Sequence, residues 1–76
     1  MSTAPDKDPA RLWDLLHAGD WACAHGDDEA LARASGQLAG TLEPRLARVA
    51  ERIQRLAAYD LAAASTLWGQ LASRLR

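Results

Sequence analysis

Residues 43–76, EPRLARVAERIQRLAAYDLAAASTLWGQLASRLR, decide how the rest of the chain is read. From Leu46 the apolar positions run Val49, Ile53, Leu56 and Ala57, Leu61, Ala64, Leu67 and Trp68, Leu71 and Leu75. Those steps of three and four are the period of an α-helix. Pro44 suits a first helical turn, where its missing N–H has no partner to lose. Unbroken, the helix would be about 48 Å long at about 1.5 Å per residue, longer than a 76-residue globule is wide. It therefore either breaks near Tyr59-Asp60, with Asp60 capping a new helix, or projects to meet a partner.

The rest of the composition agrees with a helical reading. Alanine, leucine, arginine, glutamate and glutamine are strong helix formers, whereas Val and Ile occur once each and Phe and Asn not at all. The fold class expected is all-α. Arginine replaces lysine at all positions but Lys7, a bias also typical of GC-rich bacterial genes, so the arginine count alone carries no weight. Seventy-six residues make one domain whose core is small and whose stability is marginal unless it is stapled or associates. Cys23 is the sole cysteine and has no internal partner, which points to a reducing compartment. Residues 1–8 lack the apolar core of a signal peptide and read as a disordered lead-in, and no apolar run reaches the length of a membrane span. The expectation is a cytoplasmic protein with no membrane contact.

Working back from residue 43, the first helix is expected to start at Asp8-Pro9, Asp as N-cap and Pro in the first turn. At 100° per residue it sets Leu12, Leu15, Leu16, Gly19, Ala22 and Cys23 on one face, with Trp13 and His17 on its flank and Trp21 nearly opposite. Gly26-Asp27-Asp28-Glu29 is the favoured boundary: Gly26 takes the left-handed C-terminal cap and Asp27 the next N-cap. A competing break at Gly19-Asp20 has the same chemistry and would align Trp21, Ala24, Asp28, Leu31, Ser35, Leu38 and Leu42. The second helix is expected to reach about Thr41 with Leu31, Ala34, Leu38 and Leu42 inward. Gly36 and Gly40, four apart, suggest a face that another helix approaches closely. Gly-Gln-Leu-Ala occurs at 36–39 and again at 69–72, a match that an Ala/Leu-rich chain produces readily by chance.

Chemistry-bearing constellations are few. His17, Cys23 and His25, with Asp27 and Asp28 nearby, are the only set with metal-ligand chemistry, and the close paired spacings of zinc sites are missing. Asp14 and His17 lie one helical turn apart, a routine surface pair. There is no nucleophile motif and no phosphate-binding glycine loop, so neither an enzyme nor a cofactor is expected. Arg45, Arg48, Arg52 and Arg55, spaced 3-4-3, form a basic row beside the Leu46/Val49/Ile53/Leu56 seam. Such a row can follow a nucleic-acid backbone. The net charge of −1 and the absence of interleaved aromatics argue against it, so nucleic acid is the less favoured partner.

Charge also divides the chain. Residues 1–40 hold seven acids and three bases, residues 41–76 three acids and six bases, a distribution that favours an acidic half facing a basic half within one chain or between two. For Trp13 and Trp68 a place in the core is the favoured reading, with Trp68 kept as an interface candidate; Trp21 fits an interface. The expected architecture is an antiparallel bundle of three helices, or four if the last stretch breaks near Asp60. The expected function is a protein–protein interaction module of adaptor, chaperone or regulatory-inhibitor type, self-associating, with Trp21, Arg45, Arg48, Arg52, Arg55 and Trp68 as interface candidates. Nucleic-acid binding through the arginines and metal binding through His17, Cys23 and His25 are the alternatives.

Overall fold

The last stretch folds back on itself. In a computed structural model of the chain, which describes residues 9–76, the elements are α1 (Pro9–His25), α2 (Asp28–Ala39), α3 (Pro44–Leu56) and α4 (Leu61–Leu75), with no strand among the described residues. The protein is a small all-α bundle. The expected lead-in and the Asp8 cap lie outside the described residues.

The break between α3 and α4 is chemically explicit. After Leu56 the chain makes a turn through Ala57–Tyr59, and the Asp60 N–H donates to the Leu56 carbonyl at 2.7 Å. The Asp60 side chain then accepts from the Ala63 N–H at 3.1 Å, which starts α4. Folding back lets Ala64, Trp68, Leu71 and Ala72 reach the core that a projecting helix would have left to solvent.

The α1–α2 boundary follows the favoured reading. Gly26 adopts φ 65°, and the Gly26 and Asp27 N–H groups donate to the carbonyls of Cys23 and Ala22, the Schellman pattern. Asp27 accepts from the Ala30 N–H at 3.0 Å and caps α2. The competing break at Gly19-Asp20 is not used, because both residues serve the core. A Cβ on Gly19 would fall 1.8 Å from the Trp68 ring, so only glycine lets that indole lie against α1. Asp20 accepts from the Trp68 Nε1 at 3.0 Å and pairs through its other oxygen with Arg76, fastening α4 to α1.

The core is made of Leu15, Leu16 and Ala22 from α1, Leu31, Ala34 and Leu38 from α2, Ala50 and Ile53 from α3, Ala57 from the turn after it, and the four α4 residues above. Ser35 is the buried polar residue among them, and its hydroxyl donates to the Leu31 carbonyl at 2.7 Å. α1 and α2 form one hairpin, with Leu15, Ala18, Trp21, Ala30, Ala34 and Gln37 lining the groove between them; α3 and α4 form a second, with Leu46, Val49, Leu67 and Leu71 lining theirs.

The paired-glycine expectation is half corrected. Gly36 does lie under a neighbouring helix, since a Cβ there would be 2.7 Å from the Gln54 side-chain nitrogen on α3. Gly40 lies past the last residue of α2, where its N–H donates to the Gln37 carbonyl, and shares no packed face with Gly36. The two Gly-Gln-Leu-Ala stretches occupy the same step of α2 and α4, each beginning nine residues after its aspartate cap, at Asp27 and Asp60. Leu31 and Ser35 in one helix stand where Ala64 and Trp68 stand in the other, so the two hairpins fill their shares of the core differently.

Candidate interaction site

Two surfaces of the bundle hold side chains that its own packing does not use. The first is the outer face of α1. Trp13, His17 and Trp21 follow one another at intervals of four, which drifts only about 40° per step around a helix of 3.6 residues per turn. Trp13 is 46% exposed and Trp21 52% exposed, and His17, Ala10 and Ala24 around them are exposed as well. Trp21 therefore stands outside the core, as its position opposite Leu15 and Leu16 implies. Trp13 is a correction: it is not core. At 100° per residue it lies about 130° from the middle of the buried face, too far round to reach it.

Trp21 is held rather than loose. Its ring stacks on His25, with centroids 4.2 Å apart and planes inclined by 21°. The His25 Nδ1 in turn donates to the Trp21 carbonyl at 2.9 Å. Below Trp21 an open, mainly apolar groove of about 260 Å³ runs between α1 and α2 over Leu15, Ala18, Ala30 and Ala34, with Arg33 on its wall. A rigid aromatic beside an apolar groove is the kind of feature that anchors helical recognition.

The second surface is α3. Arg45, Arg48, Arg52 and Arg55 are all exposed, in the continuous row that their spacing requires. Among the described residues the one ion pair is Asp20 with Arg76, so none of the four arginines is paired with a described acid, although exposed Glu51 lies one turn from Arg48 and Arg55. Among the described residues the acidic and basic halves are thus joined by that single ion pair. Tyr59, four residues past Arg55 and 78% exposed, stands in the turn that follows α3. Leu46, Val49 and Leu56 beside the arginines are half-buried, and Leu46 and Val49 line a shallow groove against Leu67 and Leu71, with Arg74 at its edge.

Trp68, an interface candidate from sequence, is instead a core residue at 2% exposure. The slot at Gly19 and the Asp20 acceptor place it there, and neither was visible from α4 alone. The metal candidates are not brought together. His17 is exposed on the outer face, Cys23 is half-buried, and His25 is engaged with Trp21. Among the described residues no group of three or more His, Cys, Asp or Glu side chains is placed to hold a metal ion. No described helix is long and apolar enough to cross a membrane.

No family model, curated protein or solved structure matches the chain.

Proposed function

We propose that this chain is a small cytoplasmic protein–protein interaction module of adaptor, chaperone or regulatory-inhibitor type. The observation that carries the reading is Trp21, a half-exposed indole braced by His25 at the lip of an apolar groove. Large rings kept at the surface by a rigid scaffold give binding energy at small entropic cost. The unpaired arginine row on α3 adds a fixed charge pattern that orients an approaching partner. The reading includes no catalytic step and no cofactor.

Trp21→Ala tests it. Helix content by circular dichroism should be unchanged, while association measured by light scattering after size exclusion, or by titration of a partner, weakens at least tenfold. Loss of helix content would mean that the ring supports the fold, and the reading would lose its anchor.

A second reading is favoured by one observation, the four exposed arginines with no acid partner: the row binds a polyanion such as nucleic acid. Retention on DNA or RNA that falls steeply with salt and disappears in Arg48→Glu/Arg52→Glu would support it; retention unchanged by that double charge reversal would end it.

A further inference from the structure

The exposed face of α1 is symmetric about its own midpoint. Trp13 and Asp14 precede His17 by four and three residues, and Asp20 and Trp21 follow it by three and four; Ala10 and Ala24 lie seven to either side. Trp13, Asp14, His17, Trp21 and both alanines are exposed, whereas Asp20 is turned to Trp68 and Arg76. Two copies of such a helix, laid antiparallel across a two-fold axis at His17, meet through the same residues on both sides. A two-fold axis does that for any sequence; the palindrome adds that like meets like, ring level with ring and alanine level with alanine.

Resting on the interaction reading above, we infer that the outer face of α1 is a docking surface for a second copy of this chain. The helices pair antiparallel with His17 on the axis. In that register Trp13 of each copy comes level with Trp21 of the other, one ring on either side of the seam, and Ala10 comes level with Ala24. The small alanines let the helices approach where the indoles cover the flanks. Polar groups are complementary as well: Asp14 of each copy falls within a turn of His17 of the other, where an imidazole N–H can donate to the carboxylate. Asp20 of one copy comes level with Asp14 of the other, but its carboxylate is already paired with Arg76 and accepts from Trp68 in its own bundle.

Size sets the strength. An indole covers about 150–250 Å², so the half-exposed rings of two copies supply about 400 Å² and the whole contact stays below about 1,200 Å². That is the range of transient assemblies, and the dimer is one that forms and dissolves over micromolar concentrations.

The test is a cross-link at the axis. Residue 17 of each copy should lie within the about 7 Å between Cα atoms that a disulfide can bridge. His17→Cys/Cys23→Ser, oxidised at about 100 µM, well above a micromolar dissociation constant, should give a covalent dimer at least tenfold faster than Ala58→Cys/Cys23→Ser. Ala58 is an equally exposed position on the α3–α4 turn. Unmodified Trp13→Ala/Trp21→Ala should stay helical and remain monomeric by sedimentation where the parent chain dimerises. A dimer that cross-links no faster at 17 than at 58 overturns the α1 pairing and leaves the interaction reading standing, whereas a dimer that survives the double tryptophan replacement overturns both. A parent chain monomeric throughout also overturns the pairing, whereas loss of helix content in Trp21→Ala strikes the interaction reading itself.

Discussion

At the scale of single residues, two glycines with the same propensity have opposite duties. Gly19 is buried and occupied to the backbone by the Trp68 ring, and an added methyl group has nowhere to go. Gly19→Ala should lower stability by about 2–3 kcal/mol or more, as overpacking against a rigid ring does, measured as a fall in the urea midpoint. Gly69, one residue from that same tryptophan, has nothing within 4 Å of a would-be Cβ and sits in the interior of α4. Gly69→Ala should raise stability by about 0.5–1 kcal/mol through helix propensity alone. Periodicity places Gly19 on the buried face, but not the ring that needs it. That pairing lies 49 residues away along the chain, beyond the reach of any local pattern. Trp13 fails in the opposite direction, because a tryptophan suggests burial by its type while its angular position forbids it.

At the scale of elements, the helix ends were the most legible part of the chain, because capping is chemistry within four residues. Gly26, Asp27, Pro44 and Asp60 each perform the local duty that their type and position imply. The same residues separate the two hairpins into helices of 12–17 residues that a small core can hold. Asp27→Ala and Asp60→Ala should each cost about 1 kcal/mol by removing a side-chain acceptor from a helix start. For Asp60 a second effect is measurable. Without its cap the Ala63 N–H loses its acceptor and the first turn of α4 frays, so amide exchange at Ala63 and Ala64 should accelerate more than at Ile53. Equal protection at both places would mean that packing of α4, rather than the cap, sets the break. What local chemistry leaves open is the choice between a folded-back and a projecting last helix. Burial of Trp68, Leu71 and Ala72 decides it.

At the scale of the whole molecule, the separation of charge survives folding. The described acids of the first half cap helices or face solvent, the arginines of α3 lie on another helix, and among the described residues only Asp20 with Arg76 joins the two sets. Sequence totals reveal the imbalance but not whether the monomer cancels it, since that depends on which faces the packing turns outward. The consequence separates the two surfaces experimentally. Contacts of the α1 face are mostly apolar and persist in salt, whereas contacts of exposed arginines are screened beyond about 10 Å at 0.1 M and about 3 Å at 1 M. Raising sodium chloride from about 0.05 to 0.5 M should therefore leave self-association through α1 within about twofold. Any acidic partner or polyanion held by Arg45, Arg48, Arg52 and Arg55 should be released over the same range. A dimer that dissolves in salt would move the self-contact from the tryptophans to the arginines, and Arg48→Glu/Arg52→Glu, not Trp13→Ala/Trp21→Ala, would then be the replacement that abolishes it.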